Sequence, residues 1–230
     1  YSITSRSDIN HLEDIVPLSR FNANWAIIVT MFPALNSALP TELPIAGAGL
    51  RYAGRFLSTH QADSLLARLK SEVPWQQAEI SLFGRKVLTP RLSCWMGDAE
   101  AVYRYSNTTF TPEPWLDCVL ALKNQLEAAA GAPFNSVLLN YYRSGQDAMG
   151  WHSDDEPELG PQPVIASVSL GAVRRFLLRA KAGGPSSAIE LEHGSLLLMQ
   201  GDTQENYRHS LPRTAKPVQA RINLTFRRIV

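Results

Sequence analysis

The sequence predicts an α+β fold that is mainly β, with two flanking helices ahead of a run of short strands that close into a sandwich or barrel. Three observations predict it. Two early segments carry apolar residues at helical spacing, and after Gly131 one short apolar, β-branched segment follows another. Turn-rich pieces such as RSGQDAMG and AGGPSS separate those segments. Because the helices come first instead of alternating with the strands, the pattern argues against a parallel βαβ sheet. The 230 residues suit one larger domain or two small ones, and 45% hydrophobic content supports a core.

From the N-terminus, residues 1–47 read as an extension, without sustained periodicity and with prolines at Pro17, Pro33, Pro40 and Pro44; residues 48–230 read as the folded domain. Met31 could be a natural start, with residues 1–30 read through from upstream, the alternative being a loosely packed arm. In FLSTHQADSLLARLKSEV, Ser58 and Gln61 have capping-box spacing, and Leu65, Leu66, Leu69 and Val73 recur at helical intervals. A second helix is expected from about Trp115 to Ala130. Pro114 suits its start, Val119, Leu122 and Leu126 share a face, and Gly131 stops it. Both helices are expected on one side of a sheet. The strands follow as NSVLLNYY, VIASVSL, RRFLLRA, AIELE, GSLLLMQ and RINLTFRRI.

Bulk properties narrow the function. A net charge of +1 signals neither a large basic excess for nucleic acid nor an acidic disordered chain. The apolar run WAIIVTMFPAL, residues 25–35, is shorter than the ~20 residues that span a bilayer, so no membrane association is expected. Cys94 and Cys118 are the only cysteines, with no CxxC and no leader pattern ahead of them. A reduced, intracellular monomer is expected, in the cytoplasm of a bacterium or the nucleus of a eukaryote.

The chemistry concentrates in GWHSDDEPELGP, residues 150–161. An acidic surface turn is one reading, since Asp, Glu, Gly and Pro gather in loops for backbone reasons. The other is half a metal site, because on extended chain His152 and Asp154 point the same way. Of the five histidines, His11 lies in the extension, His60 in a helical first turn and His193 in an HG turn. His209, in YRHSLP, is the remaining candidate for a third ligand. Two histidines and one carboxylate suit a non-haem Fe(II) oxygenase or a catalytic zinc with bound water. In QARINLTFRRIV, Arg221, Asn223, Thr225 and Arg227 share one strand face and Ile222, Leu224 and Phe226 the other. Arg221 and Arg227 stand roughly 20 Å apart along the strand, so their arms can converge on a small dicarboxylate from both ends. Asn140 and Tyr142, two apart in LLNYY, can add hydrogen-bonding groups from a neighbouring strand. Iron with a dicarboxylate suggests 2-oxoglutarate.

NSVLLNYYRSGQDAMGWHSDDEPEL, IASVSLGAVRRFLLR, HGSLLLMQGD, HSLP and RINLTFRRI, in that order and spacing, resemble the AlkB family of Fe(II)/2-oxoglutarate dioxygenases, and in particular the homologues that repair duplex DNA. The resemblance covers about residues 48–230. It implies a double-stranded β-helix, or jelly roll, with His152, Asp154 and His209 holding Fe(II), and Asn140, Tyr142, Arg221, Asn223 and Arg227 holding 2-oxoglutarate. With O₂ as the other co-substrate, the implied reaction demethylates 1-methyladenine and 3-methylcytosine in alkylated DNA, yielding succinate, CO₂ and formaldehyde. Glu156 matches an acid that contacts the cationic base. Phe83, in SLFGRK, resembles a hairpin wedge for the gap left by a flipped base. Tyr103 and Tyr105 match pocket aromatics, both being tyrosine where relatives carry phenylalanine. Arg85, Lys86, Arg91, Arg143, Arg174, Arg175 and Arg208 are candidates to meet phosphates. The rival functions are an RNA demethylase or protein hydroxylase of the same superfamily, and an iron-free jelly-roll binding module.

Overall fold

The computed structural model describes residues 39–82, 85–105 and 108–230, and the side chains of 80–82, 85, 103–105 and 108–110 lie outside that description. In chain order the strands are β1 (Thr41–Glu42), β2 (Gly49–Ala53), β3 (Glu79–Leu82), β4 (Arg85–Leu88), β5 (Leu92–Gly97), β6 (Tyr103–Tyr105) and β7 (Thr108–Phe110). They continue as β8 (Ser136–Tyr142), β9 (Met149–His152), β10 (Ile165–Gly171), β11 (Arg174–Ala180), β12 (Ser187–Leu191), β13 (Ser195–Gln200), β14 (Tyr207–Leu211) and β15 (Arg221–Arg227). The helices are α1 (Thr59–Glu72), α2 (Asp117–Ala130) and the single turn α3 (Thr203–Asn206).

Strands β10, β13 and β15 are buried at almost every position, on both faces, whereas β11 and β12 alternate buried with exposed. A strand buried on both faces needs a layer on each side, and an alternating one needs a single layer. The pairing meets both demands. A seven-stranded sheet runs β1-β2-β13-β10-β15-β8-β5, and a four-stranded sheet runs β12-β11-β14-β9. From β8 onward the chain passes back and forth between the two sheets, which is the jelly-roll path expected. Leu50, Ile165, Leu197 and Met199 of the larger sheet pack with Phe176, Leu178, Ile189 and Leu191 of the smaller, and this cluster closes one part of the interior. On the opposite face of the larger sheet, α1 packs beside β10, and Phe226 meets Trp115 and Phe134 with ring centroids 6.4 and 6.1 Å away.

Helix α1 begins as its sequence requires. The Ser58 hydroxyl accepts from the Gln61 N–H while the Gln61 side chain accepts from the Ser58 N–H, and Ala62, Leu65 and Leu69 are buried. Helix α2 starts two residues later than Trp115, because Leu116 is still extended, at φ −73° and ψ 140°, and serves as the N-cap. Its stop is as expected, with Gly131 left-handed at φ 67°. Strand formation begins earlier than the sequence suggested: β2 and β5 flank the larger sheet before most of the jelly roll is made. The boundary drawn at residue 47 also falls inside folded chain. Residues 41–42 pair with β2, and Leu43 and Ile45 pack against the inter-sheet cluster.

Candidate active site

Strand alternation makes the inner face of the larger sheet polar in one region. The register sets Ser167 opposite Thr225, Ser169 opposite Asn223, and then Asn223 opposite Asn140 and Arg221 opposite Tyr142. These side chains share a face that looks toward the smaller sheet, and all but Ser169 join His152, Asp154 and His209 in lining a pocket between the two. A buried polar face is costly unless its groups find partners. Here Asn223 Nδ2 donates to Ser167 Oγ at 2.9 Å and to the Val168 carbonyl at 3.0 Å, while its Oδ1 accepts from Thr225 Oγ1 at 3.2 Å. Arg91 Nε donates to Asn140 Oδ1 at 2.8 Å, which leaves the Asn140 amide nitrogen as its remaining donor group.

The two histidines come from neighbouring strands. His152 ends β9 and sits directly opposite His209 on β14, with ring centroids 4.3 Å apart. Asp154 follows two residues on, its Oδ1 3.8 Å from His152 Nε2 and its Oδ2 3.9 Å from His209 Nε2. One ligand atom from each of the three lies within 4.8 Å of the others, a spacing a single metal ion can bridge. His152 Nδ1 is 2.9 Å from the Gly150 carbonyl, so a neutral imidazole that donates there presents its lone pair at Nε2. Gln204, buried in α3, accepts the Asp154 N–H at 2.9 Å and fixes the backbone of the carboxylate.

Charge states suit the same purpose. Burial drives the His209 imidazole down to about 4, keeping it neutral and able to ligate. Burial opposes ionisation of Asp154, but the positive charge beside it, chiefly the Arg227 guanidinium, prevails and its pKa lies below the ordinary carboxylate value. Arg227 Nη2 donates to Asp154 Oδ1 at 2.6 Å. Arg221 differs. It is 1% exposed, donates to Ser169 Oγ at 2.8 Å and lies 5.3 Å from the Tyr142 ring centroid, and its Nε has no hydrogen-bond partner. Burial lowers its pKa to about 10, and no carboxylate among the described residues forms an ion pair with it. A buried cation with free donors is a receptor for an anion. The residues present therefore fit both a divalent metal and a carboxylate ligand beside it.

Of the sequence-predicted residues, His152, Asp154, His209, Asn140, Tyr142, Arg221, Asn223 and Arg227 all line this one pocket. Glu156 stands half-buried at the start of a 3-10 turn, Pro157–Leu159, just beyond Asp154. Phe83 lies outside the described residues, as do the side chains of Tyr103 and Tyr105 in β6. Several expected phosphate contacts are otherwise engaged. Arg174 is buried and donates to the Ser144, Asp147 and Pro212 carbonyls; Arg143 pairs with Asp147, and Arg91 holds Asn140. Lys86 meets Glu79 and Arg175 meets Glu190, both at the surface, while Arg208 is exposed. His193 is structural, accepting the Gly171 N–H at Nδ1, 2.8 Å away. Sequence reasoning missed Ser167, Ser169 and Gln204. The readable signal for the serines was their two-residue alternation inside the apolar strand IASVSLG.

The whole stretch 49–227 matches the family model described as the 2OG-Fe(II) oxygenase superfamily. The chain is 40% identical over 184 residues to the human protein named alpha-ketoglutarate-dependent dioxygenase alkB homolog 3, covering 76% of this chain and 64% of that one. The bovine protein of the same name is 42% identical over 184 residues, with the same two coverages. To human DNA oxidative demethylase ALKBH2 it is 38% identical over 181 residues, 74% of this chain and 69% of that. The chain thus spans a little under two thirds of the alkB homolog 3 proteins it matches. A solved structure of OsALKBH1 superposes with a TM-score of 0.61 at 17% identity, over 82% of this chain and 99% of that one, which supports the jelly-roll fold.

Proposed function

This chain belongs to the 2OG-Fe(II) oxygenase superfamily, and we propose that it is an Fe(II)/2-oxoglutarate dioxygenase that oxidatively demethylates 1-methyladenine and 3-methylcytosine in DNA. The observation that carries the reading is the His152, Asp154 and His209 cluster, its Asp154 and His209 buried, set in one pocket with the Arg221 cation, which has no carboxylate partner among the described residues. The names of the relatives support the substrate class.

When bound, Fe(II), 2-oxoglutarate and O₂ supply the oxidation, coupling decarboxylation to succinate and CO₂ with hydroxylation of the base methyl, which then leaves as formaldehyde. The protein's share is placement. His152 and His209 would each offer a ring nitrogen, and Asp154 a carboxylate oxygen, to hold the metal. Arg221 grips a carboxylate of 2-oxoglutarate from the depth of the pocket, with Tyr142, Asn140 and Asn223 completing its walls. Arg227 holds Asp154 ionised and orients it. Glu156, close beyond Asp154, contributes negative charge toward a cationic base. Phe83 serves as the wedge in a duplex, and Tyr103 and Tyr105 flank the base. The protein acts as an intracellular monomer.

The test is anaerobic reconstitution with Fe(II), then 2-oxoglutarate turnover in air with methylated single- and double-stranded DNA and with methylated RNA. Succinate and formaldehyde should appear together with repaired DNA. Faster repair of RNA than of DNA would reassign the substrate. Absence of succinate under every condition would leave only a binding module.

A further inference from the structure

Trp151 precedes His152 and Arg208 precedes His209, so strand alternation turns both side chains to the face opposite the metal-ligating ones. They stand on the outer surface of the four-stranded sheet, directly behind the pocket. On the neighbouring strand, Arg179 is the register partner of Arg208, and its guanidinium lies 4.4 Å from the Trp151 ring centroid. Because β14 runs between β11 and β9, the indole reaches across β14 to meet it. Both arginines are exposed, and neither makes an ion pair among the described residues, whereas Arg175 and Lys181 nearby are matched by Glu190 and Asp155.

Like charges directly opposite each other destabilise a sheet, so this arrangement is unfavourable until an anion lies between them. A guanidinium stacked on an indole keeps its N–H edge free for a bidentate contact with phosphate. Trp151 remains 38% exposed, leaving apolar ring surface beside the charges. The route from pocket to patch is short. β9 is an edge strand of its sheet, and His152 on that edge is the most accessible member of the triad, half-buried with its side chain 33% accessible against 4% for His209.

We propose that Trp151, Arg179 and Arg208 form a phosphodiester-binding patch, over which the nucleic-acid strand flanking the target nucleotide passes after rounding the β9 edge. This rests on the demethylase reading above. Arg179 and Arg208 take successive phosphates, and Trp151 orients Arg179.

The test is fluorescence anisotropy of the full chain, loaded with Mn(II) and 2-oxoglutarate, on a methylated single-stranded dodecamer across a salt series. Arg179→Gln and Arg208→Gln should each weaken binding about fivefold at about 0.1 M salt and lower the salt slope by about 0.7, roughly 25-fold and 1.4 in the double variant. Arg208→Lys should restore its share of the slope. Turnover of a methylated trinucleotide, too short to reach the patch, should stay at the wild-type level, and the melting temperature should hold or rise, since each change removes one of two facing like charges. An unchanged dodecamer affinity and slope in the double variant would overturn the patch while the demethylase reading stood. Failure of the wild-type chain to demethylate any oligonucleotide would overturn that reading and the patch with it.

Discussion

At position 221 the interior holds a guanidinium that is 1% exposed, without an ion-pair partner among the described residues. Such a group costs stability, and its retention calls for a ligand that compensates it. Arg221→Met should leave the melting temperature of the metal-free protein unchanged or raise it, since an apolar side chain of similar reach replaces an uncompensated charge. The same substitution should weaken 2-oxoglutarate binding at least about tenfold, the loss of one charge-assisted contact. A melting curve and a co-substrate titration on one sample check both halves. His209 gives a pH signature. Its imidazole titrates at about 4 in the folded chain against an ordinary 6.5, so between those values the unfolded chain binds a proton that the folded one refuses. Stability is then full above about pH 6.5, declines as pH falls toward 4, and flattens below, a change on the order of 3 kcal/mol. Urea unfolding with chelator present at pH 7 and pH 4.5 should show the decline, and His209→Gln should remove most of it.

Elements place these residues with the help of local devices that differ in importance for function. The Ser58 and Gln61 capping box serves helix α1 alone. Ser58→Ala should cost about 1 kcal/mol, a fall of roughly 2–4 °C in melting temperature, with turnover unchanged. The β1–β2 hairpin is tied more closely to the site. Tyr207 donates its hydroxyl proton to the Ala46 carbonyl and Asn206 donates to the Gly47 carbonyl, and Tyr207 opens the strand that carries His209. A chain beginning at residue 48 loses these bonds and the packing of Leu43 and Ile45. It should therefore melt several degrees below one beginning at residue 39, and bind metal less tightly. Equal melting temperatures and metal affinities for the two would show that the hairpin is dispensable.

On the scale of the whole molecule, the jelly roll is two packed layers divided by content. One part of the gap is filled by Leu50, Ile165, Phe176, Leu178 and their neighbours, and another is the polar pocket. The apolar part holds the sheets at fixed separation, so the pocket groups stay aimed at one another without closing up. Ligands that bind only this arrangement must stabilise the entire fold. Mn(II) with 2-oxoglutarate at about a hundred times its dissociation constant should add about 2.7 kcal/mol, roughly 5–10 °C in melting temperature. Asp154→Ala should abolish that gain, and a gain persisting in the variant would move the metal elsewhere.

Much of this was legible in the residues themselves. Periodicity is a local property, so α1, the stop at Gly131 and the strands β8, β10, β11, β13 and β15 follow from spacing within short windows. His152 and Asp154 were legible for the same reason, two residues apart on one extended segment. The polar alternation of Arg221, Asn223 and Thr225 announced a face that needed something polar to look into. Pairing is not local, and there the tertiary structure decided. It set His209 opposite His152, put Arg227 on Asp154 instead of leaving both arginines free, and buried Arg174 among backbone carbonyls. It brought Gln204 to the Asp154 backbone from 50 residues away. It also turned Trp151, Arg179 and Arg208 to one outer surface, because a strand assigns its side chains to faces only once its neighbours and register are fixed.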